Sequence, residues 1–181
     1  MLCGAILVGG QSRRMGRPKA LLQVNGIPMV EKLAHVLSPF CVQVVAVGPR
    51  ELAGSIPAVA DLYPGAGPLG GLLSALHARP NNCDRMVVVA CDLINIEAPV
   101  IAALLAADLD NIDAVLANTD RLQPLCGLWN PQCLALLQDA FDAGQRSMIG
   151  VIQTLAIASV PIEASLLINV NTPDDLYHAT K

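Results

Sequence analysis

Short apolar runs alternate with segments of helical periodicity along the whole chain. The runs Met1–Val8, Val42–Val47 and Arg85–Cys91 are almost continuously apolar, as expected for strands buried on both faces of a sheet. Between them, residues 28–37 and 72–78 have the spacing of helices with one apolar face. This pattern predicts an α/β fold, namely a three-layer α/β/α sandwich around a mostly parallel sheet.

The second half of the chain continues the alternation. Strands are predicted at residues 56–60, 112–118, 124–129, 156–160 and 167–170, and helices at residues 99–107, 131–141 and 148–154. A last helix is predicted to begin with Thr172 as N-cap, Pro173 in the first position and Asp175 in the third. Because no repeat or low-complexity linker interrupts the pattern, one domain over residues 1–181 is predicted.

Composition excludes several classes of protein. With 54% hydrophobic and 14% charged residues, the chain has a large core and is not disordered. Its net charge of −4 and its 3% of aromatic residues do not suit a nucleic-acid binder. No stretch has the length and composition of a membrane span, and the apolar N-terminal run precedes its arginines, the reverse of a secretory signal. A cytoplasmic protein is therefore predicted.

The chain has six cysteines, and none of them forms a Cys-x-x-Cys pair. Most lie in apolar runs. They are interpreted as buried thiols, with a metal site or disulfides as the alternative.

The segment after the first strand concentrates positive charge beside two glycines, Gly9 and Gly10. Four of the eleven cationic residues fall within seven positions, at Arg13, Arg14, Arg17 and Lys19. Backbone N–H groups of a glycine-rich loop, with a lysine as a point charge, suit a polyphosphate. The alternative is a solvated turn that contains unrelated arginines.

Two aspartates follow predicted strands. Asp61 comes after the strand at residues 56–60, and Asp92 comes directly after Arg85–Cys91. The carboxyl ends of parallel strands share the edge at which such sheets bind ligands. A lone carboxylate at the end of a core strand is costly without a cation, and Mg²⁺ beside bound phosphates is a suitable partner. For both aspartates, capping of a turn is the alternative.

Residues 7–19 do not fit a Walker A motif or a Gly-x-Gly-x-x-Gly fingerprint. They resemble the signature of nucleotidyltransferases with a glycosyltransferase-A-like fold, Leu-x-Gly-Gly-x-Ser-x-Arg-Met-Gly-x-x-Lys, at every fixed position. This match indicates the superfamily and leaves the substrate open.

Over nearly its whole length the chain resembles molybdenum cofactor guanylyltransferase. The further motifs are Asp61, Gly67-Pro68-Leu69-Gly70-Gly71, Cys91-Asp92, Gln123-Pro124-Leu125, Gly144-Gln145-Arg146 and Asn169-Val170-Asn171-Thr172-Pro173. The resemblance implies an enzyme that transfers GMP from GTP to the phosphate of molybdopterin, with or without its molybdenum. The products would be the guanine dinucleotide cofactor and pyrophosphate. It also implies contacts with other proteins of cofactor biosynthesis and with molybdoenzymes.

The resemblance assigns residues to two parts of the chain, a nucleotide-binding part at about 1–95 and a pterin-binding part at about 96–181. Nucleotide binding is expected from Leu7, Val8, Gly9, Gly10, Lys19, Asp61 and Asp92, with Mg²⁺ on Asp92. The pterin substrate is expected at Arg14, Gly71, Arg146, Asn169 and Asn171. Arg14, Lys19 and Asp92 are the expected catalytic residues. The reaction needs positioning and positive charge and no protein nucleophile.

Three positions depart from the family pattern: Val47 and Gln123 stand where asparagine and histidine are usual, and Asn95 where proline is common. Val47 leaves a molybdopterin cytidylyltransferase open, although Asn169 and Asn171 favour the guanylyltransferase. Backbone groups around Leu7–Gly9 are expected to help select the base. A non-catalytic nucleotide-binding module is the remaining alternative, but it has no need for both Lys19 and Asp92.

Overall fold

The computed structural model describes residues 1–9, 18–108, 110–170 and 175. The strands are β1 (Leu2–Leu7), β2 (Gln23–Val24), β3 (Ile27–Pro28), β4 (Gln43–Val47), β5 (Ala58–Val59), β6 (Arg85–Ala90), β7 (Ala114–Asn118), β8 (Leu122–Trp129) and β9 (Ile157–Pro161). The α-helices are α1 (Met29–Leu37), α2 (Pro68–His77), α3 (Ala98–Leu105), α4 (Leu134–Asp142) and α5 (Met148–Ile152).

Seven of these strands form one sheet in the order β5-β4-β1-β6-β8-β7-β9, while β2 and β3 form a separate two-stranded ribbon. In the large sheet, β8 runs antiparallel to both of its neighbours, and the other pairings are parallel. The sheet is therefore mostly parallel, as the apolar runs predicted.

Helices cover both faces of the sheet. Successive side chains of a strand point to opposite faces, so a continuously apolar strand has apolar side chains to bury on each face. On β1, Cys3, Ala5 and Leu7 belong to the cluster formed with α2, α4 and α5. Ile6 belongs to the cluster formed with α1 and α3 on the other face. The three-layer α/β/α architecture is thus confirmed.

Several elements differ from the predicted ones. Helix α2 begins at Pro68, four residues before the helix predicted over 72–78. Residues 167–170 do not form a strand: Leu93 and Asn169 make only an isolated antiparallel bridge. The segment predicted as one helix at 131–141 begins with a 3₁₀ turn, Pro131–Cys133, whose Asn130 side chain accepts a hydrogen bond from Gln132 N. The helix predicted from Thr172 lies almost wholly outside the described residues.

The interpretation of all six cysteines as buried thiols is wrong for three of them. Cys3 on β1 and Cys83 in the loop before β6 form a disulfide, with their Cα atoms 6.0 Å apart. Cys41 is a free thiol but only partly buried, whereas Cys91, Cys126 and Cys133 are free and buried, as predicted. Spacing could not reveal the bridge because its partners are brought together by the parallel pairing of β1 with β6.

No helix among the described residues has the length and apolar character needed to cross a membrane.

Candidate active site

A cavity of about 720 Å³ opens at the edge of the sheet where β1, β4 and β6 end. Its volume is typical of sites that bind small molecules, and this is the edge at which open α/β sheets bind ligands. Eight of the twelve predicted site residues line it: Leu7, Val8, Gly9, Lys19, Asp61, Gly71, Asp92 and Asn169. The pattern of strands and motifs therefore predicted the location of the cavity.

Lys19 and Asp92 form an ion pair in the wall of this cavity. Lys19 begins a 3₁₀ turn shortly after β1, and Asp92 follows the neighbouring strand β6. The Lys19 Nζ atom lies 3.2 Å from Asp92 Oδ2, with side-chain exposures of 16% and 24%. The pair is partly desolvated, so each charge depends on a partner more than a surface charge does.

Residues 168–170 are attached to the segment that contains Asp92. Val170 N donates to Asp92 O at 2.9 Å, and Ile94 N donates to Ile168 O at 3.3 Å. These bonds flank the bridge between Leu93 and Asn169. They explain how Asn169, near the end of the chain, comes to line the same cavity as Asp92.

Asp61 stands on the opposite side of the cavity, after β5. Its Oδ1 atom accepts hydrogen bonds from Tyr63 N at 2.9 Å and from Ser74 Oγ at 2.8 Å. The other oxygen, Oδ2, lies 3.9 Å from the position that a Cβ atom on Gly9 would take. Asp61 is therefore held by one oxygen and directs the other toward the end of β1.

A second cavity of about 560 Å³ adjoins the first, and Gly9, Asp61 and Gly65 line both. Its remaining wall includes Gly48 and Arg50, which follow β4. A Cβ atom on Gly48 would lie 2.9 Å from Gly9 N, and the φ of Gly48 is +138°. Only glycine allows β4 to end this close to the end of β1.

The backbone of Leu7–Gly9, which is expected to help select the base, takes part in hydrogen bonds of the sheet. Leu7 O accepts from Cys91 N at 3.1 Å, and Val8 N donates to Val47 O at 3.0 Å. These two groups already have sheet partners, and the part that this backbone plays in base selection stays a prediction.

On the far side of β6 from β1, the cavity is lined by Arg121 just before β8, by Gln123 in β8, and by Met148 and Ile149 in α5. Gln123 Nε2 donates to Thr119 Oγ1 at 3.2 Å. The sequence prediction missed Arg121, although it lies only two residues before the Gln123-Pro124-Leu125 motif. It is, with Lys19, one of the two cationic side chains that line the cavity among the described residues.

Of the other four predicted residues, Arg146 is described by the structure, and it is not in this wall. Arg146 lies apart: its guanidinium carbon is 3.8 Å from the centroid of the Phe141 ring, and Nη1 donates to Phe141 O and Gln145 O. Gly10, Arg14 and Asn171 lie outside the described residues, as do Arg13 and Arg17. Their assigned roles stay predictions.

Cys91 also lines the cavity, next to Asp92. Burial, followed by the charge of Asp92, raises the pKa of its thiol to about 12. Since the thiolate is the nucleophile, Cys91 is inert near neutral pH. No group of three or more His, Cys, Asp or Glu side chains suited to a metal ion occurs among the described residues.

The family model of the MobA-like NTP transferase domain matches residues 4–158. The chain belongs to this family. A relative from Pelotomaculum thermopropionicum, named "Probable molybdenum cofactor guanylyltransferase", is 33% identical over 189 residues, which cover 97% of this chain and 90% of the relative. A "Molybdenum cofactor biosynthesis bifunctional protein" from Synechocystis is 31% identical over 183 residues. The aligned residues cover 96% of this chain but only 52% of the Synechocystis protein, so this chain spans about half of that relative's length.

The MobA-like fold is also found in a solved structure, molybdopterin-guanine dinucleotide biosynthesis protein A from Archaeoglobus fulgidus. It superposes with a TM-score of 0.81 at 26% identity and covers 98% of this chain and 96% of its own. In this MobA-like chain, the Lys19–Asp92 pair, Asp61 and the cavity-lining residues other than Asn169 lie within the matched residues 4–158.

Proposed function

We propose that this protein transfers GMP from GTP to the phosphate of molybdopterin, or of its molybdenum-loaded form, and releases pyrophosphate. The names of the guanylyltransferase relatives and of the Archaeoglobus protein support this reaction. The observation that carries the proposal is the Lys19–Asp92 pair in the wall of one large cavity. It supplies a cation for phosphate and a carboxylate for a phosphate-bound divalent ion at the same point.

GTP is proposed to bind at the end of the cavity that adjoins the second cavity. Gly9 leaves space for a ligand close to the backbone, and Asp61 offers an acceptor for donor groups of the nucleoside. The smaller cavity beside Gly48 and Arg50 has room for the base. Gly10 and Arg14 are proposed to complete the phosphate site.

The family implies a divalent metal ion, and we propose Mg²⁺. The side chains fit this ion as a one-carboxylate site: Asp92 would hold it together with phosphate oxygens, as is usual for Mg²⁺. Asp92 Oδ2 accepts a hydrogen bond from Lys19 Nζ in the structure. A metal ion bound to Asp92 would therefore share this carboxylate with the lysine. When bound, the ion would neutralise negative charge on the phosphates.

In the proposed reaction, an oxygen of the acceptor phosphate attacks the α-phosphorus of GTP. The bond from that phosphorus to the bridging oxygen breaks, and the electron pair leaves with pyrophosphate. Lys19 holds the phosphates in line and stabilises the charge that develops on them. The inert thiol of Cys91 agrees with a transfer that forms no covalent enzyme intermediate.

The acceptor is proposed to occupy the end of the cavity lined by Arg121, Met148, Ile149 and Asn169. Apolar side chains suit a flat pterin, and Arg121 suits an anionic group of the same molecule. This division agrees with a nucleotide part at about 1–95 and an acceptor part at about 96–181 within one domain.

Other proteins of cofactor biosynthesis and molybdoenzymes are the proposed protein partners. The GTP donor favours the cytoplasm as the proposed site of the reaction.

A molybdopterin cytidylyltransferase is the second candidate, because of Val47. This side chain lines the cavity, is 2% exposed and has no polar group with which to select a base. Asn169, which lies in the cavity wall, favours the guanylyltransferase.

Pyrophosphate release with each of the four nucleoside triphosphates, Mg²⁺ and molybdopterin tests the proposal. We expect release with GTP that requires molybdopterin and is lost in Lys19→Ala. Release with CTP in place of GTP would support the second candidate, and no release with any nucleotide would contradict both.

A further inference from the structure

Ser74 is the buried polar side chain of the described core: it is 0% exposed on α2, which is otherwise apolar between Leu69 and Leu76. Buried hydroxyl groups are unfavourable unless they are hydrogen-bonded. A serine in this place therefore needs a reason beyond packing, for which alanine would serve better in a helix.

The Ser74 hydroxyl is fully hydrogen-bonded and connects α2 to the residues after β5. Its oxygen accepts from Leu62 N at 2.9 Å and lies 2.8 Å from both Asp61 Oδ1 and Gly70 O. The hydroxyl has one proton to donate, and a carboxylate is a stronger acceptor than a backbone carbonyl. We therefore assign the hydroxyl proton to the hydrogen bond with Asp61 Oδ1.

With Tyr63 N, the Ser74 hydroxyl gives Asp61 Oδ1 two donors. The carboxylate cannot rotate about its Cβ–Cγ bond without losing both bonds. This fixes the direction of Oδ2, the oxygen on the Gly9 side, at the junction of the two cavities.

We propose that Ser74 is a positioning residue for nucleotide binding, which acts by holding Asp61 so that Oδ2 accepts a hydrogen bond from a donor group of the bound nucleoside. The inference rests on the proposed function, since it requires a nucleoside triphosphate in this cavity. Ser74 itself is fully buried and touches no ligand; its effect passes through Asp61.

The test compares Ser74→Ala, Ser74→Thr, Asp61→Ala and the double variant Ser74→Ala/Asp61→Ala. Ser38→Ala is a matched control, because Ser38 Oγ donates to Ala34 O at the end of α1, away from the cavity. The dissociation constant of GTP is measured by calorimetry, kcat and KM by pyrophosphate release, and folding by thermal denaturation.

We expect Ser74→Ala to raise the dissociation constant and KM of GTP about tenfold, as for the loss of one charge-assisted hydrogen bond, with kcat changed much less. Ser74→Thr, which keeps the hydroxyl, is expected to bind GTP nearly as the wild type does. In the Asp61→Ala background, Ser74→Ala is expected to have no further effect on GTP binding, because Asp61 is the residue through which it acts.

An unchanged dissociation constant in folded Ser74→Ala would overturn the assignment, and so would additive losses in the double variant, which indicate a structural effect only. If Ser74→Ala does not fold, the same decision rests on Ser74→Thr and on Ser74→Cys, which keeps the volume but donates only weakly. In that case, equal dissociation constants of GTP for Ser74→Thr and Ser74→Cys would overturn the proposal. Failure of the wild-type protein to bind any nucleoside triphosphate would contradict the proposed function, which is a distinct outcome.

Discussion

The Nζ atom of Lys19 lies 3.2 Å from Oδ2 of Asp92, although 73 positions separate the two residues in the sequence. The parallel pairing of β1 with β6 brings them together, because each follows the carboxyl end of one of these adjacent strands. A bound triphosphate with its cation would replace this ion pair by contacts of both residues with the ligand. The pair thus keeps both charges satisfied in the free protein.

Lys19→Ala is expected to weaken GTP binding and to lower turnover about a hundredfold or more, as for the loss of a donor to developing transition-state charge. Calorimetry and pyrophosphate release measure the two effects. Arg85→Ala is the control, since Arg85 is an exposed cation at the opposite end of β6. If Lys19→Ala bound GTP and turned over as the wild type does, the proposed role of Lys19 in phosphate binding would be contradicted.

Asp92→Ala is expected to abolish Mg²⁺-dependent turnover while the protein still folds, because this carboxylate contributes charge rather than core packing. Turnover is measured over a series of Mg²⁺ concentrations, beside Asp84→Ala, which removes an exposed carboxylate just before the other end of β6. Activity of Asp92→Ala at ordinary Mg²⁺ concentrations would show that the metal is held elsewhere.

Arg121→Ala is expected to raise KM for molybdopterin about tenfold, as for one lost charge-assisted hydrogen bond, without changing KM for GTP. The expectation follows from its place beside β8, which is separated by β6 from β1, the strand that Gly9 follows. Steady-state kinetics with each substrate varied in turn separate the two constants. An effect on GTP alone would assign Arg121 to the donor instead.

Val47→Asn is expected to raise kcat/KM for GTP up to about tenfold, if one hydrogen bond of roughly 1 kcal/mol to the base is gained. The wild type is expected to prefer GTP over CTP, but by a smaller factor than relatives with asparagine here. Because Val47 is packed in the apolar cluster with α2, the variant is also expected to melt at a lower temperature. Competitive turnover with equimolar GTP and CTP measures the preference, and a cytosine dinucleotide product would favour the second candidate.

The free thiols are expected to react slowly in the folded protein. Burial raises the pKa to about 11 for Cys41 and to about 12 for Cys91, Cys126 and Cys133, so deprotonation at pH 8 is disfavoured. For a pKa near 12, the thiolate fraction at pH 8 is about 1 in 10,000, and it rises as the pH approaches the pKa.

A thiol-specific chromogenic reagent therefore tests both reactivity and the disulfide. After denaturation without reductant we expect four reactive thiols, and six after reduction, because Cys3 and Cys83 are bonded. Six thiols without reduction would contradict the disulfide.

The sequence predicted those features that depend on local pattern. Continuous apolar strands fixed the three layers, and Asp61 and Asp92 could be placed at the sheet edge because each follows a strand. It could not predict features that depend on the pairing of distant segments. The Cys3–Cys83 bridge, the contact of Gly48 with Gly9 and the hydrogen bond from Ser74 to Asp61 all require the strand order. Arg146 was assigned by motif alone, and its contacts with Phe141 are outside the cavity wall.

The reversed direction of β8 has a consequence for which part of the cavity wall can change most easily. Because β8 runs antiparallel to β7, a tight hairpin of three residues, Thr119 to Arg121, joins them at the ligand edge of the sheet. Exposed turns are common sites of insertion, because added residues there extend into solvent and need no place in the core. Under the proposed function, we therefore expect the acceptor end of the cavity to accept changes in this hairpin more readily than the donor end, which is built on the parallel strands β1, β4 and β6.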